Sequence, residues 1–187
     1  LLNQCEEEGA RPTRWQLVVI ALIPKADGGR RPIGLLPATI KVWMRARSSA
    51  LRTWEANNDR SSIYGSAGKA AKRATWVSAW EAETARSKEG LYAQALLDLA
   101  KAFETVPHEH LWKQAAARGY PLRVLRLALA AYRMPRTVGI DGVFSRLRRA
   151  TRGITAGSGM ATAELRLLIL ELLDILEIRC PSAALAI

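Results

Sequence analysis

The sequence predicts a mixed α+β fold, and three observations support this prediction. Two segments read as strand, glycine turn and second strand, one around Gly28 and one around Gly142. The stretches between and after them repeat apolar residues at three- and four-residue steps, which is typical of amphipathic helices. The elements do not follow the regular β-α-β order of a doubly wound sheet. With 187 residues, 49% of them hydrophobic, the chain can form one domain or two small ones.

The first hairpin begins with an apolar, β-branched strand over residues 15–24, which read WQLVVIALIP. The turn that follows is Asp27-Gly28-Gly29, where glycine supplies positive φ without strain. Pro32 in the second strand predicts an edge position, because proline cannot donate to a central ladder.

Two cations, Lys25 and Arg31, bracket the turn of this hairpin. Their position allows both charges to converge on one anion, and a triphosphate is such an anion. Taken alone, a basic hairpin is better explained as solvated charge, so its meaning depends on the rest of the chain.

Helical periodicity dominates the remainder of the sequence. Trp76 and Trp80 lie one turn apart, and we expect them in the core rather than on a base-stacking platform. Pro107 and Gly119 stand at positions that favour the start and end of a helix. A second hairpin turns at Asp141-Gly142. The predicted helices cover residues 38–55, 69–88, 107–119, 122–132 and 160–178.

The most informative segment reads LYAQALLDLAKAF, from Leu91 to Phe103. Residues 91–97 are apolar except for Gln94, which predicts a short buried strand that ends at Asp98. An acid in that position is costly unless it meets a cation or a metal ion. Phe103, five residues further, is close enough to form one wall of a site around Asp98.

The charge distribution favours a nucleic-acid partner. Lys and Arg number 28 against 17 Asp and Glu, which gives a net charge of +11. Between residues 121 and 152 only Asp141 is acidic, whereas a solvated face usually mixes both signs. Arginine suits phosphate because its fork donates two parallel hydrogen bonds. The eight arginines of this stretch are residues 123, 126, 133, 136, 146, 148, 149 and 152.

Several other patterns carry weaker information. Cys5 and Cys180 form no CxxC pair, which fits a reducing, intracellular compartment. The apolar stretch over residues 160–178 contains five charges, which disfavours a membrane span. GSAGK at residues 65–69 has too few residues between its glycines for a phosphate loop, so a turn is the better interpretation.

The two histidines of the chain, His108 and His110, flank Glu109. Residues two apart do not share a helix face, so these side chains are poor joint metal ligands. They are interpreted as ordinary surface or capping residues.

Three blocks in this order resemble the reverse transcriptase domain of non-LTR retrotransposons and group II introns. They read IPKADGGRRPIGLLPATIKVW, then LLDLAKAFETVPHEHLW, then RGITAGSG followed by a helix. They span residues 23–176, which is most of the chain. The resemblance implies a right-hand polymerase fold, with a fingers subdomain over residues 1–89 and an incomplete palm over residues 90–187.

The resemblance also implies roles for individual residues. Lys25 and Arg31 match the fingers residues that grip the incoming triphosphate. Asp98 matches the first metal-binding catalytic aspartate, and the carbonyl of Leu99 is expected to help hold the metal. Phe103 matches the aromatic gate against a ribose 2′-hydroxyl. The loop residues that match the family's flexible contact with the template and nascent base pair are Gly153 and Gly157.

The expected cofactor is Mg²⁺, as two ions roughly 3.5–4 Å apart in the complete enzyme. The expected partners are an RNA template, a DNA primer and deoxynucleoside triphosphates. The family's Tyr-x-Asp-Asp turn, which supplies the other metal carboxylates, is absent, since no Asp-Asp pair occurs in the chain. Smaller departures are Glu104 for a frequent Asp, Ala156 for a usual Gln, and Ala161-Thr162 for Ser-Pro.

The leading interpretation is therefore a piece of an RNA-directed DNA polymerase that is inactive alone. The chain begins at Leu1 instead of a methionine and ends in an apolar run, which supports a piece of a longer product. The alternative is a basic RNA-binding or scaffold module that keeps the fold without the chemistry. A plain helical structural domain would have to treat the three blocks as coincidence.

Overall fold

The computed structural model describes residues 1–12, 15–66, 68–96 and 98–180. Within them, five strands form one sheet, and the chain also forms seven helices. The strands are β1 (Val18–Pro24), β2 (Arg30–Leu35), β3 (Pro135–Ile140), β4 (Val143–Phe144) and β5 (Arg148–Arg149). The helices are α1 (Leu2–Glu8), α2 (Ala38–Ala46), α3 (Ser48–Asn57), α4 (Ala71–Ser87), α5 (His108–Ala117), α6 (Leu122–Tyr132) and α7 (Ala161–Arg179).

The sheet has the order β2-β1-β3-β4, and β5 also pairs with β3. Strands β1 and β2 form the predicted antiparallel hairpin, with Ile23 opposite Arg31. Pro32 lies on the edge strand β2, as expected of a residue without an N–H. Strand β1 also pairs in parallel with β3, from Val18 opposite Arg136 onwards. The predicted fingers and palm segments therefore share one sheet.

The helices lie close to their predicted positions, with one division. Residues 38–55 form two helices, α2 and α3, which are separated at Arg47. The hydroxyl of Ser48 donates to the carbonyl of Arg45 at 2.8 Å, so a side chain takes an acceptor that a continuous helix would use. None of the described helices is long and apolar enough to cross a membrane. Cys5 is buried and Cys180 is exposed, and both are free thiols.

The core lies where α5, α6 and α7 pack together beside α2. Leu111, Leu125 and Leu167 are fully buried there, and each contributes about 1.5–3 kcal/mol by leaving water. Trp43 of α2 is also buried, and its indole N–H donates to Glu6 of α1. These contacts join the N-terminal helix to the same core.

Trp76 and Trp80 contradict the expectation that they belong to the core. Their side chains are 73% and 69% exposed, and α4 contains no buried residue. Ser78 of α4 is half-buried and accepts a hydrogen bond from Gln94 at 2.6 Å. Residues on the opposite face of α4, including both tryptophans, consequently meet solvent.

The predicted strand over residues 91–97 is also wrong for its described part. Residues 91–96 are extended without strand pairing, and Leu91 and Leu96 are exposed; Leu97 lies outside the described residues. A strand is stable only when its backbone groups find a ladder partner. Both neighbours of β1 are already β2 and β3, and no described strand pairs with this segment. The side chain of Tyr92 contacts Ser78 of α4 instead.

A buried carboxyl at the start of α7 makes folding stability depend on pH. Glu164 is fully buried, and the hydroxyl of Tyr132 donates to its Oε2 at 2.5 Å. Among the described residues, its Oε1 has no hydrogen-bond partner. Burial raises the pKa of Glu164 to about 8, although the hydrogen bond from Tyr132 lowers it.

Glu164→Gln is expected to reduce the loss of stability at alkaline pH. The folded-state pKa lies above the ordinary 4.5, so the folded state binds more protons between these values, and stability falls as pH rises through that window. Glutamine does not titrate, so between pH 5 and 9 the variant should lose about 4 kcal/mol less than the parent. Urea unfolding across this range measures the difference. Glu109→Gln is the control, because its side chain is 84% exposed, and parallel curves for parent and Glu164→Gln would contradict the prediction.

Candidate active site

The glycine loop, defined as residues 153–159, lies between the hairpin strand β2 and the turn that carries Phe103. The N–H of Gly34 in β2 donates to the carbonyl of Ala156 at 2.7 Å. On the other side, the N–H of Ile154 donates to the carbonyl of Phe103 at 2.8 Å. Backbone hydrogen bonds thus join all three sequence blocks, although Gly34 and Ala156 are 122 residues apart in the chain and Phe103 and Ile154 are 51 residues apart.

Two glycines make this close packing possible. Gly153 has φ +91°, and a Cβ there would lie 2.8 Å from the carbonyl oxygen of Glu104. Gly157 has φ +101°, and its Cβ would lie 2.7 Å from the carbonyl oxygen of Gly34. Any side chain at these positions would meet backbone, which cannot move aside as the end of a flexible side chain can. The loop is therefore seated by backbone contact on both sides.

A groove of about 260 Å³ opens along this loop. Arg136 and Arg152 lie on its wall, together with Glu104. Burial lowers the pKa of Arg136, but a guanidinium remains charged at neutral pH. Arg136 already donates to the carbonyl of Tyr132, whereas Arg152 is exposed. The groove is therefore basic, which suits a phosphate-bearing ligand.

The hairpin cations lie beside a second, shallower recess. Lys25 and Arg31 both line it, together with Asp27. The turn is closed by the N–H of Lys25, which donates to the carbonyl of Gly29 at 2.8 Å. The two cations therefore line one recess.

Asp98, Leu99 and Phe103 have different surroundings. Phe103 is half-buried and packs against the core. Asp98 and Leu99 are exposed, and the carboxylate of Asp98 makes no hydrogen bond or ion pair with any described residue. The structure thus brings Phe103 to the glycine loop but does not bring Asp98 into a cluster.

The described residues do not form a complete divalent-metal site. No group of three His, Cys, Asp or Glu side chains among them could hold a metal ion. Mg²⁺ requires near-octahedral oxygen coordination, and Asp98 supplies one carboxylate. Further oxygen ligands would be needed to complete a site at Asp98.

Some arginines of the arginine-dense stretch make hydrogen bonds within the fold, and others are exposed. Arg126 donates to the carbonyls of Glu6 and Glu7, which fixes α1 on α6. Arg133 donates to His108 at 3.1 Å. The arginines of this stretch that remain exposed beside the groove and sheet edge are Arg146, Arg148, Arg149 and Arg152.

His108 is the residue that the sequence interpretation missed. It is 4% exposed, and its Nε2 lies 2.9 Å from the carbonyl oxygen of Gly153. The expectation of an ordinary surface or capping histidine is therefore wrong for this residue. The available signal was its helical position, because His108, Leu111 and Ala115 share the buried face of α5.

This α+β fold, with a basic hairpin and a glycine loop joined to an aromatic-bearing turn, is that of a right-hand polymerase. The family model described as reverse transcriptase (RNA-dependent DNA polymerase) matches residues 23–183. The chain belongs to the reverse transcriptase family. Members of this family generally use divalent metal ions and act with a nucleic-acid template and deoxynucleoside triphosphates.

A solved structure supports the fold independently. It is that of apo telomerase from Candida tropicalis truncated from the C-terminal domain, with a TM-score of 0.57 and 12% sequence identity. The similarity covers 93% of this chain and 43% of the telomerase chain. At this identity the likeness concerns the fold alone. No curated protein matches the chain.

Proposed function

We propose that this chain carries the nucleotide-binding part of an RNA-directed DNA polymerase from a retroelement of the non-LTR or group II intron type. The proposal rests on the contact between the three sequence blocks. Backbone hydrogen bonds join Gly34 and Phe103 to the glycine loop. Membership of the reverse transcriptase family supports the same reaction.

Each candidate residue has a proposed role in this reaction. Lys25 and Arg31 bind the triphosphate, since they share one recess and donate charge-assisted hydrogen bonds. Phe103 excludes a ribose 2′-hydroxyl, while Gly153 and Gly157 let the loop backbone approach the nascent base pair and template. The boundary between fingers and palm near residue 89 belongs to the same proposal.

The metal requirement is proposed for the complete enzyme. Two Mg²⁺ ions are expected there, with Asp98 and the carbonyl of Leu99 among their ligands. Because the described residues form no group of three His, Cys, Asp or Glu side chains that could hold a metal ion, and the sequence has no Asp-Asp pair, we propose that the chain is inactive alone.

Template-directed incorporation of deoxynucleotides tests this function. The complete protein should extend a DNA primer on an RNA template, and should stop when a chelator is added and resume with Mg²⁺. Absence of extension under all divalent ions would reject the polymerase proposal.

Arg31→Gln should weaken binding of the incoming nucleotide. Loss of a charge-assisted hydrogen bond costs about 1.5–3 kcal/mol, which is roughly a tenfold to hundredfold increase in KM for the deoxynucleotide. Steady-state extension at varied deoxynucleotide concentration gives this KM. Arg52→Gln on α3 is the matched control, since Arg52 is exposed and, among the described residues, its side chain hydrogen-bonds only to Ser48. Equal KM values for the two variants would remove Arg31 from the nucleotide site.

A second candidate function is RNA binding without catalysis. The exposed arginines beside the groove and the isolation of Asp98 favour it. This function predicts RNA affinity that falls steeply with salt and persists after Asp98→Asn. Salt-independent binding would count against it.

A further inference from the structure

His108 connects the glycine loop to α6 through both of its ring nitrogens. Its Nε2 lies 2.9 Å from the carbonyl oxygen of Gly153, and its Nδ1 lies 3.1 Å from Nε of Arg133. The ring is buried, and it approaches the Tyr132 ring to a centroid distance of 6.4 Å. Water therefore has little access to the bond with Gly153, whereas Arg133 approaches the ring from the exposed side.

The hydrogen-bond partners of His108 determine which of its ring nitrogens carries the proton. A guanidinium can only donate, so Nδ1 must accept from Arg133 and carries no proton. Nε2 then carries the ring proton and donates it to the carbonyl of Gly153. Burial, the main cause, and the charges of Arg133 and Arg136 lower the pKa of His108, against the Gly153 hydrogen bond, which raises it. The neutral ring is consequently held in one tautomer and one orientation.

The held carbonyl is the point at which the loop joins the aromatic turn. The N–H of Gly153 donates to the carbonyl of Val106 at 2.7 Å, and the next N–H, that of Ile154, donates to the carbonyl of Phe103. Three hydrogen bonds thus act on two consecutive residues of the loop. Of these three, the bond from His108 is the one made by a side chain, so it can be removed by substitution.

We propose that His108 is a positioning residue, which fixes the glycine loop at a set distance from Phe103 and so shapes the pocket for the incoming nucleotide. This role rests on the proposed polymerase function, whereas the fixing of the loop can be tested without it. Arg133 acts through His108, because it holds the imidazole in the tautomer that donates to Gly153.

Loss of the His108 hydrogen bond should release the loop. In His108→Leu, amide hydrogen exchange at Gly153 and Ile154 should be at least tenfold faster, with exchange in α6 unchanged. His108→Gln retains an N–H donor and should restore part of the protection. Arg133→Met, at the C-terminal cap of α6, should act in the same direction, with Arg123→Met in the first turn of α6 as the control. Unchanged exchange in His108→Leu would overturn the positioning role, whether or not the protein is a polymerase.

Nucleotide kinetics in the complete protein test the consequence for the pocket. His108→Leu should raise KM for the deoxynucleotide about tenfold and lower the preference for deoxynucleotides over ribonucleotides, with partial rescue in His108→Gln. Faster exchange together with an unchanged KM and preference would overturn the link to the nucleotide pocket. If amide exchange in the loop is faster in His108→Leu but the parent protein shows no extension activity, the polymerase function is rejected. The fixing of the loop by His108 is then still supported.

Discussion

Asp98→Asn in the complete enzyme is expected to abolish primer extension. An amide carries no charge to balance a divalent cation, and loss of such a ligand removes several kcal/mol of transition-state stabilisation. At about 1.36 kcal/mol per factor of ten, the rate of incorporation should fall by about a thousandfold or more. Single-turnover incorporation of one deoxynucleotide on an RNA template measures this rate.

Because Asp98 is exposed, an effect of Asp98→Asn on catalysis can be separated from an effect on folding. Its carboxylate is exposed and makes no hydrogen bond or ion pair with a described residue, so the substitution should leave folding unchanged, which a thermal melt verifies. Asp141→Asn is the matched control, because Asp141 is an exposed turn residue with φ +49°, a conformation that asparagine tolerates. Undiminished extension by Asp98→Asn would show that this carboxylate has no part in catalysis.

The elements that the sequence predicted well are those set by local signals. The Asp141-Gly142 turn has positive φ at both residues, as the hairpin signature requires. Helix α6 occupies Leu122–Tyr132, as its apolar face predicts. In both cases the residues that determine the structure are a few positions apart, so no knowledge of distant neighbours was needed.

The wrong predictions both depend on distant neighbours. The apolar pattern of residues 91–96 suits a strand, but a strand forms only where another strand offers a ladder. Trp76 and Trp80 suit a core, yet burial depends on what packs against α4, and no residue of that helix is buried by the described chain. A hydrophobic side chain tends to be buried, but its hydrophobicity does not indicate which element it packs against.

The candidate site shows the same division. The sequence identified Gly153 and Gly157 through the resemblance to reverse transcriptases, and their role in the loop remains a prediction. It did not indicate Gly34, whose N–H meets the loop across the sheet edge. Nor did it indicate the bond from His108 to Gly153, because the backbone acceptor is 45 residues away and leaves no sequence pattern. Contacts to backbone atoms cannot be predicted from the types of the residues alone.

Gly153→Ala is expected to destabilise the fold by about 3–5 kcal/mol. Part of the loss arises because φ +91° is strained for any residue with a Cβ, at about 1–2 kcal/mol. The larger part arises because the new Cβ would lie 2.8 Å from the carbonyl oxygen of Glu104, so the two backbone segments must separate. That separation would break the hydrogen bond from Gly153 to Val106 and weaken the one from His108.

Gly142→Ala separates the two causes of this destabilisation. Gly142 has φ +82°, close to that of Gly153, but no atom lies within 4 Å of its Cβ position. This control should therefore lose only the conformational part, about 1–2 kcal/mol, by urea unfolding of both variants against the parent. Equal losses would mean that the loop yields freely at Glu104, which would contradict a loop seated by backbone contact. A larger loss in Gly153→Ala would show that the close approach of Gly153 to Glu104, which places the loop beside Phe103, also stabilises the fold.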